Sequence, residues 1–204
     1  KEAMFKRRKQ SEEGTAFLIV GLGNPGPEYK LNRHNAGFMV LDELAAKLGE
    51  SFRKVQNQAL VCQARHSEAR LILAKPRTYM NLSGQAVGAL ARFYKVPLER
   101  ILVVYDDADL PFETLRLRPE GGAAGQKGMR SIIQHLGSQA IPRLRVGIGR
   151  PKGRMSTPAH VLQDFSKQEQ DDLPFLLGRA VDAILCFVDE GIEAAMNQYN
   201  GGEG

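Results

Sequence analysis

Four polar side chains stand where a fold could gather them: Asn24, His34, Asn81 and Asp106, each at the end of an apolar run or in an adjoining loop. A histidine with a carboxylate partner is a standard device for activating a nucleophile, because the carboxylate fixes the imidazole tautomer and stabilises the imidazolium. No serine sits in a G-x-S-x-G elbow, and neither Cys62 nor Cys186 has a catalytic setting, so the simplest nucleophile for His34 is water. The two asparagines would supply amide groups that orient a carbonyl or stabilise an oxyanion. Each residue also has an ordinary reading. Asn24 and Asn81 suit turns, Asp106 suits a cap, and a single histidine ahead of a helix is commonly structural. Their coincidence at strand ends is what favours chemistry.

Strands and helices must bring these positions together. Residues 17–20 read as a first strand, 60–64 and 71–74 as a hairpin joined at His66 to Ala69, and 101–105 as a continuous apolar run typical of a central parallel strand. Shorter strands are expected at 115–118 and 144–148. Phe38, Leu41, Leu44, Ala45 and Leu48 recur at helical spacing, with Asn35 as N-cap and Gly49 as stop. Further helices are expected at 85–94 and 129–136, with 77–84 and 150–158 as loops. Ser166 and Glu169 spell a capping box that opens a long C-terminal helix with Leu176, Leu177, Val181, Ile184, Leu185 and Val188 inward. The alternation predicts an α/β fold: a single domain over 16–200, with a twisted, mixed, mostly parallel sheet and helices on both faces. Residues 1–15 have neither periodicity nor an apolar h-region and read as a flexible polar tail. The first residue is Lys rather than Met, as expected of a processed chain.

The glycine pattern Gly21-Leu22-Gly23-Asn24-Pro25-Gly26 matches the dinucleotide fingerprint G-x-G-x-x-G after a strand. That fingerprint works when a helix opens at the glycines and aims its N–H groups at a pyrophosphate. Here Pro25 and Pro27 favour an extended or turning chain, and the helical pattern begins only near Asn35. No acidic residue ends a second strand about twenty residues on. The glycines are better read as a turn that presents Asn24 at the carboxyl end of a strand.

Composition excludes several classes. Hydrophobic residues make up 43% and charged residues 25%, ordinary values for a soluble globular domain. No apolar run is long enough for a membrane span, and His34, His66, His135 and His160 show no paired-ligand spacing, so neither membrane nor metal is expected. Cys62 and Cys186 read as buried thiols in a reducing compartment. Charge is uneven: nine lysines and arginines face two glutamates between Glu113 and Arg154, whereas two basic and nine acidic residues follow from Met155 onward. The basic residues alternate along two expected strands and fill the glycine-rich loop 120–128 between them. A solvated polarised surface would look similar, but this arrangement suits a phosphate backbone and favours a nucleic-acid partner. The loop carries no G-K-[ST] and is not a Walker A site, although it could form a backbone nest for anions.

The segments GLGNPGPEY (21–29), RHNAG (33–37), YMNLSG (79–84), YDDADLP (105–111) and PRLRVGIGRP (142–151) together resemble the bacterial-type peptidyl-tRNA hydrolases, in the same order from about Phe17 to Asn197. The resemblance implies a monomeric α/β protein that cleaves the ester between a peptide and the terminal ribose of tRNA, without metal or nucleotide cofactor. It implies His34 as general base, Asp106 as the carboxylate that orients it, and Asn24 and Asn81 as the asparagines that hold peptide and ester. Tyr79 and Met80 would line the peptide groove, with Tyr29, Gln126 and Lys127 also on the substrate side. Arg118 and Arg145 would contact tRNA phosphates, joined on the basic face by Lys127 and Arg130. The family loop often reads G-G-H-G-G-H-N-G. Here Lys127 replaces its asparagine, and Gln126 and Ala123 replace two histidines. The family also includes a chloroplast intron-splicing protein, so a catalytically weakened RNA-binding homologue with a splicing partner is the second reading. The acidic C-terminal helix and the RPKGRM loop resemble cyanobacterial and plant-organelle members, which gives chloroplast stroma, mitochondrial matrix or cytoplasm as expected compartments.

Overall fold

The computed structural model describes residues 14–201. Seven strands form one sheet in the order β2-β3-β4-β1-β5-β7-β6. They are β1 (Ala16–Gly21), β2 (Lys54–Gln56), β3 (Ala59–His66), β4 (Ala69–Pro76), β5 (Ile101–Asp107), β6 (Leu115–Arg118) and β7 (Arg143–Gly147). The four central strands β4, β1, β5 and β7 run parallel. At one edge β2 and β3 pair antiparallel beside β4, and at the other β6 pairs antiparallel with β7. The helices are α1 (Ala36–Lys47), α2 (Ser83–Tyr94), α3 (Lys127–Leu136), α4 (Thr157–Val161), α5 (Lys167–Glu190) and α6 (Ile192–Tyr199).

Strand alternation divides the core into two layers. Ile19, Leu71, Leu73, Leu102 and Val104 pack with Val40, Leu41 and Leu44 of α1 and Leu176, Ala180 and Ile184 of α5. Leu18, Val20, Ile72, Val103 and Tyr105 face the other way, onto Val87 and Leu90 of α2 and Met129 and Ile132 of α3. Leu18, Ile19, Val20 and every residue from Ile101 to Val104 are fully buried, and each such side chain contributes about 1.5–3 kcal/mol. The run at 101–105 is thus a central parallel strand, and the expected hairpin turns at Ser67 and Glu68.

Several local expectations are corrected. Strand β2 carried no legible signal, because its three residues are largely exposed at the sheet edge. The loop expected at 150–158 holds through Ser156 but ends two residues early, where α4 begins at Thr157 with Ser156 accepting from the Ala159 N–H as its cap. Gly191 separates α5 from α6, splitting the C-terminal helix. The capping box at Ser166 and Glu169 is present with both bonds formed. The polar tail expected over 1–15 lies outside the described residues except for Gly14 and Thr15, and Thr15 already offers its carbonyl to the Arg70 N–H at 2.9 Å.

Topology explains where a site can form. Strand β1 lies between β4 and β5, with α1 on one face of the sheet and α2 on the other. Chain leaving the carboxyl ends of β1, β4 and β5 therefore emerges at one edge, around a crevice of the kind open α/β sheets use for ligands. The glycines of the 21–26 turn act there mainly through space. A Cβ on Gly21 would lie 2.3 Å from the Gly37 carbonyl oxygen, and one on Gly37 would lie 2.3 Å from the Val104 oxygen. Bare backbone lets the start of α1 sit directly on the ends of β1 and β5, which brings the residues before α1 to the crevice.

Candidate active site

The crevice is a cleft of about 720 Å³ whose lining includes Asn24, His34, Tyr79, Met80, Asn81, Asp106, Gln126 and Lys127. At its floor, Nδ1 of His34 lies 2.9 Å from each carboxylate oxygen of Asp106. An ionised carboxylate only accepts, so Nδ1 carries the proton and Nε2 presents a lone pair. Asp106 is 4% exposed at the end of β5, whereas the His34 side chain keeps 16% of its surface open.

The short helical turn Arg33–Asn35 that carries His34 is anchored on both sides. Arg33 donates to Glu169 Oε2 at 2.7 Å, its backbone N–H donates to the Gln163 carbonyl at 3.0 Å, and Asn32 Nδ2 donates to Asp164 Oδ1 at 2.7 Å. Glu169 serves the capping box with the same oxygen. Burial alone would raise its pKa, but the Ser166 N–H and the Arg33 guanidinium outweigh that and hold the carboxyl below its ordinary value. On the other side is Asn35. It occupies the N-cap position expected from the sequence, but its side chain does not cap α1. Instead its Oδ1 accepts from the Asn24 N–H at 2.8 Å and its Nδ2 donates to the Asn24 carbonyl at 3.0 Å. The turn bearing Asn24 is thereby clamped to the residue next to His34.

Asn24 is fixed at its other end as well. Its Oδ1 accepts from the Met80 N–H at 3.0 Å, which orients the amide and leaves Nδ2 as a donor toward the cleft. Asn81, itself exposed on the turn Met80–Leu82, makes no side-chain hydrogen bond among the described residues, so both ends of its amide are free for a ligand. The Tyr79 ring is exposed beside it.

The opposite wall is the glycine-rich loop and the start of α3. Gln126 lines the cleft, yet its side chain is committed internally: Oε1 accepts from Met129 N–H at 2.8 Å as the cap of α3, and Nε2 donates to Met80 Sδ at 3.3 Å. It thus lines the cleft while also supporting Met80. Lys127, the first residue of α3, is exposed and makes no ion pair or hydrogen bond through its side chain among the described residues. Val161 and Leu162, with Thr157 and Pro158, form a further wall that the sequence reading missed. Tyr29 lies on the turn Pro27–Tyr29 and is not among the cleft-lining residues.

The register places Arg116 opposite Arg145 and Arg118 opposite Arg143. Leu115, Leu117, Leu144 and Val146 point into the α5 layer, so all four arginines share the other face. They are not equivalent. Arg145 is paired with Asp107 at 3.0 Å and half-buried, and Arg143 is turned inward onto backbone carbonyls. The sequence count of cations on this face thus overstates what a phosphate chain could meet. Arg116, Arg118, Lys127 and the exposed Arg130 carry the remainder.

Burial raises the pKa of both Cys62 and Cys186, keeping two free thiols protonated and away from the cleft. Among the described residues no group of three His, Cys, Asp or Glu side chains is placed to hold a metal ion. No helix of the described residues is long and apolar enough to cross a membrane.

Comparison with known proteins agrees with this geometry. The family model described as Peptidyl-tRNA hydrolase matches residues 18–204. The chain is similar to the Chloroflexus aurantiacus protein named peptidyl-tRNA hydrolase, 50% identical over 90% of this chain and 98% of that one. A Synechococcus protein of the same name is 49% identical over 94% of this chain and 86% of its own length. Among solved structures, the crystal structure of peptidyl-tRNA hydrolase from Acinetobacter baumannii superposes with a TM-score of 0.86 at 35% identity, covering 92% of this chain and 96% of that one. Matched through its sequence and superposed through its fold, the chain belongs to the peptidyl-tRNA hydrolase family.

Proposed function

We propose that this chain hydrolyses the ester that joins a peptide to tRNA, with His34 as general base acting on water. The observation that carries this reading is His34 Nδ1 held 2.9 Å from both oxygens of the buried Asp106 on the floor of an open cleft. Asp106 keeps the proton on Nδ1 and so leaves Nε2 free to accept one. A water poised between Nε2 and the ester carbonyl gives its proton to Nε2 as its oxygen bonds to the carbonyl carbon. Asp106 then faces an imidazolium, which it stabilises. Asn24 Nδ2 and the unpartnered amide of Asn81 donate to the peptide and to the oxyanion of the tetrahedral intermediate. Collapse breaks the bond to the ribose oxygen, and His34 Nε2–H protonates that leaving oxygen. A single oxyanion donor is typically worth a hundred- to a thousandfold in turnover. Lys127 stands on the same wall as a cation available to that oxyanion or to a neighbouring phosphate.

Selectivity for a peptide follows from the same amides. A site that hydrogen-bonds a peptide N–H and carbonyl leaves these groups unpaired when the substrate offers a free ammonium instead. Arg116, Arg118, Lys127 and Arg130 would meet the phosphates of tRNA. The reading is tested with an N-acetylated aminoacyl-tRNA and its unblocked counterpart, each beside His34→Ala. Release from the blocked substrate that requires His34 is expected. No release, or release that His34→Ala leaves unchanged, refutes it. Salt-dependent tRNA binding without any release would favour the splicing-type reading, for which Lys127 in place of asparagine is the supporting observation.

A further inference from the structure

Arg143 is 2% exposed and has no carboxylate within ion-pair distance among the described residues, whereas the other buried arginine, Arg33, is paired with Glu169. A buried cation without a counterion is costly unless its hydrogen bonds are complete. Here they are. Nε donates to the Ile141 carbonyl at 2.9 Å, Nη1 to the Gly122 carbonyl at 2.9 Å and Nη2 to the Gln139 carbonyl at 3.1 Å. Tyr105, which lines the cleft, neighbours the guanidinium.

These partners belong to separate pieces of chain. Gly122 lies in the glycine-rich loop after β6, and Gln139 and Ile141 lie in the connection from α3 to β7. The Gly121 N–H crosses the same gap to the Gln139 carbonyl at 3.1 Å. Beyond Gly122 the loop holds Ala124 at φ 48° and Gly125 at φ 83°, the first an unfavourable conformation for a residue with a Cβ. It then delivers Gln126, which holds Met80, and Lys127, which faces the cleft. We propose that Arg143 is a positioning residue for hydrolysis: its guanidinium clamps the glycine-rich loop to the α3–β7 connection and so sets where Gln126 and Lys127 stand. An arginine on this strand face would otherwise be taken for a phosphate contact, and the two roles make opposite predictions. The inference rests on the hydrolytic reading of the cleft.

Arg143→Lys keeps the charge but cannot fork onto three carbonyls. Release from N-acetylated aminoacyl-tRNA is measured for wild type, Arg143→Lys, Lys127→Ala and the double variant, with tRNA binding followed across salt concentration. The clamp predicts a fall in kcat of roughly ten- to a hundredfold, a KM within about twofold of wild type, and an unchanged slope of log affinity against log salt. It also predicts that Lys127→Ala costs less in the Arg143→Lys background than alone, because the lysine is already misplaced. A slope lowered by about one with kcat intact is the signature of a lost phosphate contact and overturns the proposal, as do wild-type values throughout. If Arg143→Lys does not fold, Arg143→Gln, which keeps a shorter amide donor but not the three-armed fork, carries the test: a lower kcat at unchanged slope supports the clamp, and wild-type kcat overturns it. A wild type that releases nothing refutes the hydrolytic reading itself, which a failed clamp would leave standing.

Discussion

Replacing Asp106 with asparagine preserves volume while removing the carboxylate on which His34 depends. Two losses follow. An amide can present N–H rather than oxygen to Nδ1, which drives the proton onto Nε2 and removes the base. It also withdraws the negative charge that faces the imidazolium after proton transfer. With both oxygens 2.9 Å from Nδ1, charge centres about 3.5 Å apart and an effective dielectric constant of about 20 give roughly 4 to 5 kcal/mol of attraction. That corresponds to about three powers of ten in rate, and the wrong tautomer adds to it, so Asp106→Asn is expected to slow hydrolysis by about 10³- to 10⁴-fold. Single-turnover release from an N-acetylated aminoacyl-tRNA, with enzyme in excess, isolates the chemical step from binding. Because the two residues act as a unit, adding His34→Ala to Asp106→Asn should cost little beyond His34→Ala alone. An Asp106→Asn rate within tenfold of wild type, or fully additive losses, would show that Asp106 does not work through His34.

Asn35→Ala leaves the buried N–H and carbonyl of Asn24 without their partners, so a stability loss of about 2–4 kcal/mol is expected in urea denaturation, with a lower kcat as Asn24 is released. Unchanged stability would mean that the Asn24 turn holds itself. Glu169→Gln should cost about 2 kcal/mol near neutral pH through the weakened bond to Arg33. The Glu169 carboxyl lies below its ordinary pKa in the folded protein, so its contribution is complete above the unfolded carboxylate value and disappears as pH falls through the folded one. Thermal midpoints of wild type and variant should accordingly converge in acid, and a gap that stays constant with pH contradicts the ionic account.

What the sequence disclosed and what it hid divide along physical lines. The catalytic candidates were legible because proton transfer restricts residue type, and parallel strands deliver their carboxyl ends to one edge. Helices α1, α2 and α5 were legible because a face packed on a sheet must repeat at helical spacing. Side-chain bonding across distant residues has no such period. Asn35 satisfies every local rule for an N-cap, yet its amide is spent on Asn24, eleven positions back along the chain. Glutamine is not a favoured cap, so the sequence gives no sign that α3 starts before Met129, yet Gln126 caps it and adds a bond to Met80 that only the assembled cleft supplies. Alternation along β6 and β7 correctly puts four arginines on one face, but it is silent on whether a loop covers that face, and for Arg143 one does.

The same blindness affects the acidic end of β5, where the balance of charge shapes the proposed chemistry. Asp106, Asp107 and Asp109 lie within four residues of one another, and like charges so close repel. Each has its own partner: Asp106 meets His34, Asp107 meets Arg145 at 3.0 Å, and Asp109 meets Arg150 at 3.2 Å. The Arg145–Asp107 pair is shielded by the sheet, whereas Arg150 and Asp109 are exposed, so screening leaves most of the compensation to Arg145. An arginine that the basic-face reading gave to phosphate thus pairs with the neighbour of the proposed catalytic carboxylate. In the proposed reading the alternating cations of β7 would serve the cleft from beneath, Arg145 through charge and Arg143 through the loop it holds, while a phosphate chain would meet the outer residues Arg116, Arg118, Lys127 and Arg130.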